Sequence, residues 1–318
     1  MVQSREDLIR QLCDAWIAAY QRSSSSSHED PEKFRLHKNG IKFHELNYPE
    51  IQIACTSLSK VLLLKGMNTV ISLDHQLFWA WAGELFLFSL PRTFSNEERY
   101  VQELLETCVL ASITSITLSR QTNPLGFNEK FMLKAHLILA YLSLPLLEAI
   151  LKKVCKAYVD YDGNVIKPFN VQGRGGNLKE YDPHSSSLSQ RKCSSLRDLL
   201  HLFYKDVSDT DLKSKLDEMR KHLSTLDSTK DPFDLIYEWR NSSLHGHTNF
   251  QTIGGTILNL TILILFSQIR SDYERVRDDI WKTVQSDLVT YRSSGVLSPR
   301  YYLPFLVAKK LDKLVAEF

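Results

Sequence analysis

The sequence has little glycine, proline and cysteine for its length of 318 residues. Its 12 glycines and 10 prolines leave few turns, which favours long helices over many short strands. No CxxC pair occurs among the five widely spaced cysteines, and this argues against a zinc site. We therefore expect buried, reduced thiols in an intracellular protein, at Cys13, Cys55, Cys108, Cys155 and Cys193.

The chain also lacks a strong net charge and a long hydrophobic run. Its formal net charge is +2, so a nucleic-acid partner would need a local basic patch rather than the field of the whole protein. The N-terminus carries charge early and has no unbroken apolar core, unlike a signal peptide. The most apolar segment, Ile253 to Phe266, contains Thr256, Asn259 and Thr261 and is shorter than the roughly 20 residues of a membrane span. We expect a buried helix there, and a cytoplasmic protein without membrane contact.

What the sequence does contain is helical periodicity, which predicts an all-α fold. We find no internal repeat and no convincing strand. Pro145 is expected to kink the longest predicted helix because proline removes a helix hydrogen bond. The predicted helices cover residues 4–22, 48–64, 73–90, 95–118, 130–159, 194–205, 209–226, a short segment opened by Asp231-Pro232, 249–279, and one or two segments of the tail.

Two polar segments divide this helical pattern. Residues 119–130 hold Asn, Pro and Gly together and give the best candidate boundary. Residues 160–193 are polar and contain glycine, which predicts a long loop of the kind that is functional or disordered. The expected organisation is an N-terminal helical region (1–122), a helical bundle (123–280) with the internal loop 160–193, and a C-terminal helical extension (281–318).

A dense polar cluster, YEWRNSSLHGH, directly precedes the most apolar segment. Within it Arg240 is followed by His245 and His247. A neutral imidazole can take a proton from a ribose 2′-hydroxyl near pH 7. A guanidinium can grip phosphate oxygens through two parallel hydrogen bonds and stabilise charge in the transition state. Asn241 and Ser242 add neutral donors, so the cluster suits phosphodiester chemistry without a metal.

An arginine followed closely by a histidine is a weak signal by itself, since Arg22 and His28 share the spacing within a serine run. The context of Arg240 is different, because a short aromatic helix precedes it and an apolar helix follows. This predicts a polar cluster at a helix N-terminus, where free N–H groups favour an anion. The alternative is an arginine that caps or pairs, and a histidine that is hydrogen-bonded near a helix end.

This arrangement resembles the signature of the HEPN superfamily, in which an arginine and a polar residue precede a histidine by four to six positions. Arg240, Asn241 and His245 match it, and LPLLEAILKK upstream resembles the family's first bundle helix; together the match covers residues 128–272. The resemblance implies a four-helix bundle that forms a homodimer and brings two Arg/His pairs into one cleft. Active members are metal-independent endoribonucleases that leave a 2′,3′-cyclic phosphate and a 5′-hydroxyl, so we expect RNA as partner and no cofactor. In one subgroup a partner protein regulates the enzyme by modifying a tyrosine two residues after the histidine, and this sequence has His247 at that position.

Further residues are candidates for supporting roles. Glu238 and Glu148 could each orient Arg240 by charge pairing, or Glu238 could face solvent and Glu148 find no such partner. Cations cluster in and after the long loop, either as a solvated surface or as an arm that guides RNA; they are Arg174, Lys179, Arg191, Lys192 and Arg197. The expected substrate contacts are His247, Ser242, Arg174, Arg191 and Lys192.

Two functions from different classes remain open. The first is a metal-independent endoribonuclease that acts as a defence or toxin effector, with His245 as general base and Arg240 on the phosphate. The second is a catalytically silent module of the same type that binds RNA or nucleotides, or assembles with partners. Growth arrest on expression, relieved by Arg240→Ala or His245→Ala, separates them.

Overall fold

The structure is a computed structural model that describes residues 4–23, 30–63, 71–90, 92–114, 135–244, 253–296 and 298–307. The fold is all-α, as the periodicity predicted. We number its helices in chain order as α1 (Arg5–Ser23), α2 (Tyr48–Leu62), α3 (Leu73–Leu87), α4 (Arg99–Thr114), α5 (Ala135–Val154), α6 (Leu188–Arg191), α7 (Leu196–Leu202), α8 (Thr210–Leu223), α9 (Pro232–Leu244), α10 (Ile253–Gln268), α11 (Tyr273–Ser294) and α12 (Leu303–Val307).

A β-hairpin lies within the segment that the sequence predicted to be a loop, and the absence of strands was a wrong prediction there. Strands β1 (Phe169–Gln172) and β2 (Leu178–Tyr181) pair antiparallel. Gly175 and Gly176 have φ values of 80° and 86°, which only glycine adopts readily and which make the tight connection possible. Phe169 stacks on Tyr181 with ring centroids 4.7 Å apart, and this pair buries one face of the hairpin.

Two long helices differ from their predicted bounds. The helix predicted for 249–279 is two helices, α10 and α11, which the turn Arg270–Asp272 separates with a bend of 70°. The helix predicted for 130–159 is described from Ala135 and ends at Val154, and Pro145 lies within it. Helical pattern alone could not show the bend, because neither glycine nor proline marks the turn between the two helices.

The chain divides into two compact units, and the candidate boundary at 119–130 lies outside the described residues. Unit 1 comprises 1–140 and 251–318, and unit 2 comprises 141–250. Helix α10 belongs to unit 1, where it packs against α2. Glycine also lets α10 approach α5 closely, because a Cβ on Gly254 would lie 2.7 Å from the backbone of Ala140 on α5. Any side chain at this position would push the two helices apart.

A buried polar network explains why Asn259 interrupts the apolar run of α10. Its Oδ1 accepts a hydrogen bond from Trp79 Nε1 at 2.6 Å, and its Nδ2 donates to Ser59 Oγ at 2.9 Å. The Cys55 thiol donates to the Asn259 carbonyl at 3.2 Å. These groups are fully or almost fully buried, so each hydrogen bond replaces one that water would otherwise make. The network fixes α10 against α2 and α3 in one register.

All five cysteines are buried and form no disulfide, which confirms the prediction of buried thiols. No single helix in the described ranges has the length and apolar character to cross a membrane, although α10 and the segment Arg270–Ser294 together meet that test as a bent pair.

Candidate functional site

The described motif residues, Arg240 to Ser242, lie on α9 in unit 2, and the helix begins where the sequence predicted. Asp231 precedes Pro232, and its Oδ1 accepts a hydrogen bond from the Phe233 backbone N–H at 2.8 Å. Arg240 and Asn241 lie in the last turns of this helix, which ends at Leu244. The expectation of a helix N-terminus was therefore wrong for Arg240, because the helix that precedes it extends past it. The free N–H groups of α9 lie at its other end.

Glu148 of α5 is the ionic partner of Arg240. Arg240 Nη2 lies 3.5 Å from Glu148 Oε2, while Glu148 Oε1 lies 3.2 Å from Lys152 Nζ. The Glu148 side chain is 19% exposed and the Arg240 side chain 34%. Arg240 Nη1 also donates to Asn241 Oδ1, at 3.4 Å. Since guanidinium carries five N–H donors, the carboxylate can hold it in place while other donors bind a phosphate.

The second acidic candidate, Glu238, does not orient Arg240. Its Oε2 accepts a hydrogen bond from Lys230 Nζ at 2.6 Å. Asn241 and Ser242 are half-buried on α9. His245 and His247 lie outside the described residues. The structure therefore positions the arginine of the motif, and the histidine positions remain predictions from the sequence.

The cations of the predicted RNA-guiding arm separate into two groups. Arg191 and Lys192 are exposed and make no ion pair with another described residue, so their charges are available to an anion. Arg174 begins the turn that connects β1 to β2. Lys179 instead donates to Asp198 Oδ2 at 2.8 Å. Arg197 is buried and bonds Asp234 and the Gln172 carbonyl.

Lys179 and Arg197 both form ion pairs with Asp198, so they stabilise the fold. Burial raises the pKa of this carboxyl, but hydrogen bonds from Lys179 and Tyr181 outweigh it and leave the pKa below its usual range. Tyr181 donates to the same oxygen at 2.7 Å. The charged carboxylate thus fastens the hairpin to α7, and the two cations on it are removed from the set that can bind RNA.

A basic cleft in unit 2 was missed by the sequence reasoning. It is a cavity of about 440 Å³ whose lining includes His201, Lys205, Lys213 and Arg220. Lys205 Nζ donates to the Asn170 carbonyl at 3.2 Å, and Lys213 Nζ donates to the Lys205 carbonyl at 2.9 Å. Both ammonium groups thus have neutral acceptors in place of carboxylates. Their charge is left for a ligand.

His201 and Arg220 connect this cleft to the motif helix. Arg220 Nη2 donates to Asp231 Oδ2 at 3.0 Å, and His201 Nε2 lies 3.7 Å from Asp231 Oδ1. Burial and the nearby Arg197 lower the pKa of His201, which favours its neutral form. Because Asp231 starts α9 and Arg240 lies nine residues later, about 14 Å of helix separates the cleft from Arg240 along the axis.

A sequence signal for part of the cleft exists. His201 and Lys205 are four residues apart and Lys213 and Arg220 are seven apart, so each pair lies on one helical face. The pattern could not show that the two faces meet. Among the described residues, no group of three His, Cys, Asp or Glu side chains is arranged to hold a metal ion.

No protein-family model matches the chain, and no curated protein or solved structure matches it.

Proposed function

We propose that this protein is a metal-independent endoribonuclease of HEPN type, acting on single-stranded or loop RNA as a defence or toxin effector. The observation that carries the proposal is the Arg240 guanidinium, held by Glu148 at the end of the helix that leads into His245. A fixed, partly exposed guanidinium, followed five residues later in the sequence by a histidine, supplies the two groups that intramolecular cleavage of a phosphodiester needs. RNA supplies the nucleophile, so the protein needs none of its own.

In the proposed reaction His245 takes the proton of a ribose 2′-hydroxyl. The 2′-oxygen attacks the adjacent phosphorus, the bond to the 5′-oxygen breaks, and the leaving oxygen takes a proton from water. Arg240 stabilises the charge on the phosphoryl oxygens in the transition state. The products are a 2′,3′-cyclic phosphate and a 5′-hydroxyl. General-base catalysis contributes about 10²–10⁴-fold, and one transition-state donor about 10²–10³-fold.

The basic cleft is the proposed binding surface for the RNA backbone. Lys205 and Lys213 supply sequence-independent attraction to phosphates, and Arg220 anchors the start of the helix that ends near Arg240. Arg191 and Lys192 add exposed cations outside the cleft. This division gives binding and cleavage to different residues of unit 2, so the two activities can be tested apart.

We also propose that two chains form the active unit. One arginine and one histidine are a small catalytic set, and a two-fold axis would double it. Light scattering should give the mass of a dimer at the concentration at which RNA is cut. A monomer with full activity would overturn the composite site while leaving the reaction itself in place.

The test of the function is incubation of purified protein with total RNA in EDTA. Wild type should degrade RNA, whereas Arg240→Ala and His245→Ala should lose at least about 10²-fold in rate. The control is Arg275→Ala, which removes another arginine that pairs at the surface, with Asp272 at 3.3 Å. It should cut like wild type. An absolute requirement for Mg²⁺, or equal rates for Arg240→Ala and wild type, would overturn the proposal.

The competing function is a silent module that binds RNA without cutting it. The basic cleft supports RNA binding without cleavage as much as it supports a nuclease, because its cations can bind RNA without any contribution from Arg240. Retained RNA binding without cleavage under any condition, and without growth arrest on expression, would select it.

A further inference from the structure

Unit 1 contains a cavity that the proposed nuclease does not use. Its volume is about 250 Å³, and most of its wall is apolar or aromatic. Helices α3, α11 and α12 and the segment after α1 contribute to it. An apolar cavity of about 150 Å³ binds benzene, so this one accommodates a body of roughly two fused rings. The apolar side chains of the lining are Ile41, Phe43, Leu77, Trp281, Leu288, Phe305 and Leu306.

One wall of the cavity is flat and uncharged. The His44 ring stacks on Trp281 with centroids 3.6 Å apart and planes inclined by 11°, and its Nδ1 lies 3.5 Å from the Tyr302 hydroxyl. Burial lowers the pKa of His44 to about 4, so the imidazole is neutral near pH 7. A stacked, neutral pair of rings presents a surface suited to another aromatic ring.

One cation that lines the cavity has no anionic partner among the described residues. His37 Nδ1 lies 2.6 Å from the buried carboxylate of Asp74. Lys42 Nζ forms an ion pair with Glu45 Oε1 at 3.4 Å. Arg292, exposed on α11, makes no ion pair with any described residue. A guanidinium beside an apolar cavity is therefore the group that an anion would meet first.

We propose that this cavity binds a small aromatic monoacid, with its rings against the His44–Trp281 wall and its carboxylate on Arg292. The size of the cavity sets the size of the ring system, and Arg292, the lining cation without an ion pair among the described residues, sets the charge of the headgroup. Guanidinium and carboxylate match in geometry through two parallel hydrogen bonds. The site lies in the unit that does not carry Arg240, so the ligand is not the substrate of the proposed reaction.

Three naphthalene probes of nearly equal size test the proposal by calorimetry on the full chain: naphthoate, naphthylmethanol and naphthylmethylammonium. Naphthoate should bind saturably at one site per chain, about fivefold more tightly than the neutral alcohol. The ammonium compound should bind more weakly than the alcohol. No saturable heat with naphthoate, or equal affinity for the anion and the cation, would overturn the proposal.

Two variants localise the site. Arg292→Gln should reduce the affinity for naphthoate to that of the alcohol and leave the alcohol unchanged. Lys282→Gln, on the same helix but outside the cavity, makes the same charge change and should keep the preference for the anion. If both variants behave alike, the preference comes from net charge and the assignment to Arg292 is wrong.

Filling the cavity gives an independent readout. Leu288→Trp places a large ring at the half-buried edge of the lining and should abolish binding of both the anion and the alcohol. Circular dichroism confirms that the variant is folded; should it unfold, the Arg292→Gln comparison decides alone. Unchanged binding by a folded Leu288→Trp protein would show that the probes bind elsewhere.

Discussion

Arg240 Nη2 lies 3.5 Å from Glu148 Oε2, and this pair joins the end of α9 to the middle of α5. Both side chains are partly exposed, so water screens the attraction and the pair adds little to stability. Its consequence is orientation. Glu148 Oε1 also lies 3.2 Å from Lys152 Nζ. This second ion pair restrains the carboxylate and, through it, the position of the Arg240 guanidinium.

Glu148→Gln tests this positioning role. The amide keeps the shape of the side chain and loses its charge, so we expect kcat for RNA cleavage to fall about tenfold with KM nearly unchanged. The melting temperature should change little. The matched control is Glu238→Gln on α9, because Glu238 pairs with Lys230 instead. Equal kcat values for Glu148→Gln and wild type would show that Glu148 does not position Arg240 for catalysis.

The cleft lysines should govern affinity and not the chemical step. The double variant Lys205→Glu/Lys213→Glu should bind single-stranded RNA at least tenfold more weakly at low salt. It should also reduce the slope of log affinity against log salt by roughly 1 or more, since about 0.7 counterions are released per phosphate contact. Fluorescence anisotropy in the Arg240→Ala background measures this without cleavage.

The control for that experiment carries the same charge change elsewhere. Lys38→Glu/Lys282→Glu alters two exposed lysines of unit 1. If this variant loses as much affinity as the cleft variant, binding follows net charge and the cleft has no special role.

Asn259→Ala should destabilise the fold severely. It removes the acceptor of Trp79 Nε1 and the donor to Ser59 Oγ, all within the buried interior. An unsatisfied buried donor plus a small cavity costs about 2–4 kcal/mol of unfolding free energy. Chemical denaturation measures it, with the exposed Asn96→Ala as a control that should stay within about 0.5 kcal/mol. A loss below 1 kcal/mol would mean that water replaces the network.

Acid should destabilise unit 1 through two histidines. Burial lowers the pKa of His44 and of His75 to about 4, below the value near 6.5 in the unfolded chain. The unfolded state therefore binds more protons between these values, and stability falls as pH decreases from about 6.5 toward 4. Asp74, whose pKa is lowered, acts only below that window.

The size of the acid effect follows from linkage. Each histidine contributes about 1.4 kcal/mol per pH unit within the window, so the two together should cost about 3 kcal/mol or more between pH 6.5 and 5. His44→Phe keeps the stack on Trp281 and should halve the slope. Unfolding free energies that stay constant from pH 7 to 5 would contradict the assignment of neutral, buried imidazoles.

The helices were predictable because apolar residues recur at helical spacing, and the start of α9 was predictable from Asp231-Pro232. The pairing of Arg240 with Glu148 could be named as an alternative, since a carboxylate on a largely apolar helix needs a partner. The β-hairpin was not visible, because two four-residue strands within polar, glycine-containing sequence show too little alternation.

Long-range packing was the larger gap. Nothing local indicates that α10 packs on α2, some 200 residues away, since that contact depends on Gly255, which lies against Leu62, and on the hydrogen bonds of Asn259. The basic cleft was missed for the same reason: β1, the segment around Lys205 and α8 each supply part of it. Spacing identifies a face, whereas only the fold shows which faces meet.

The most direct measurement of the proposed chemistry uses one RNA oligonucleotide, with its cleavage site mapped, and a second that carries a 2′-deoxy sugar at that position alone. In EDTA, the wild-type protein should cut the first to a 2′,3′-cyclic phosphate and a 5′-hydroxyl and leave the second intact at that bond, because the nucleophile is missing. Cleavage of the deoxy-substituted bond at the same rate, or products with a 3′-hydroxyl end, would contradict a mechanism in which His245 activates the 2′-hydroxyl and Arg240 stabilises the phosphate.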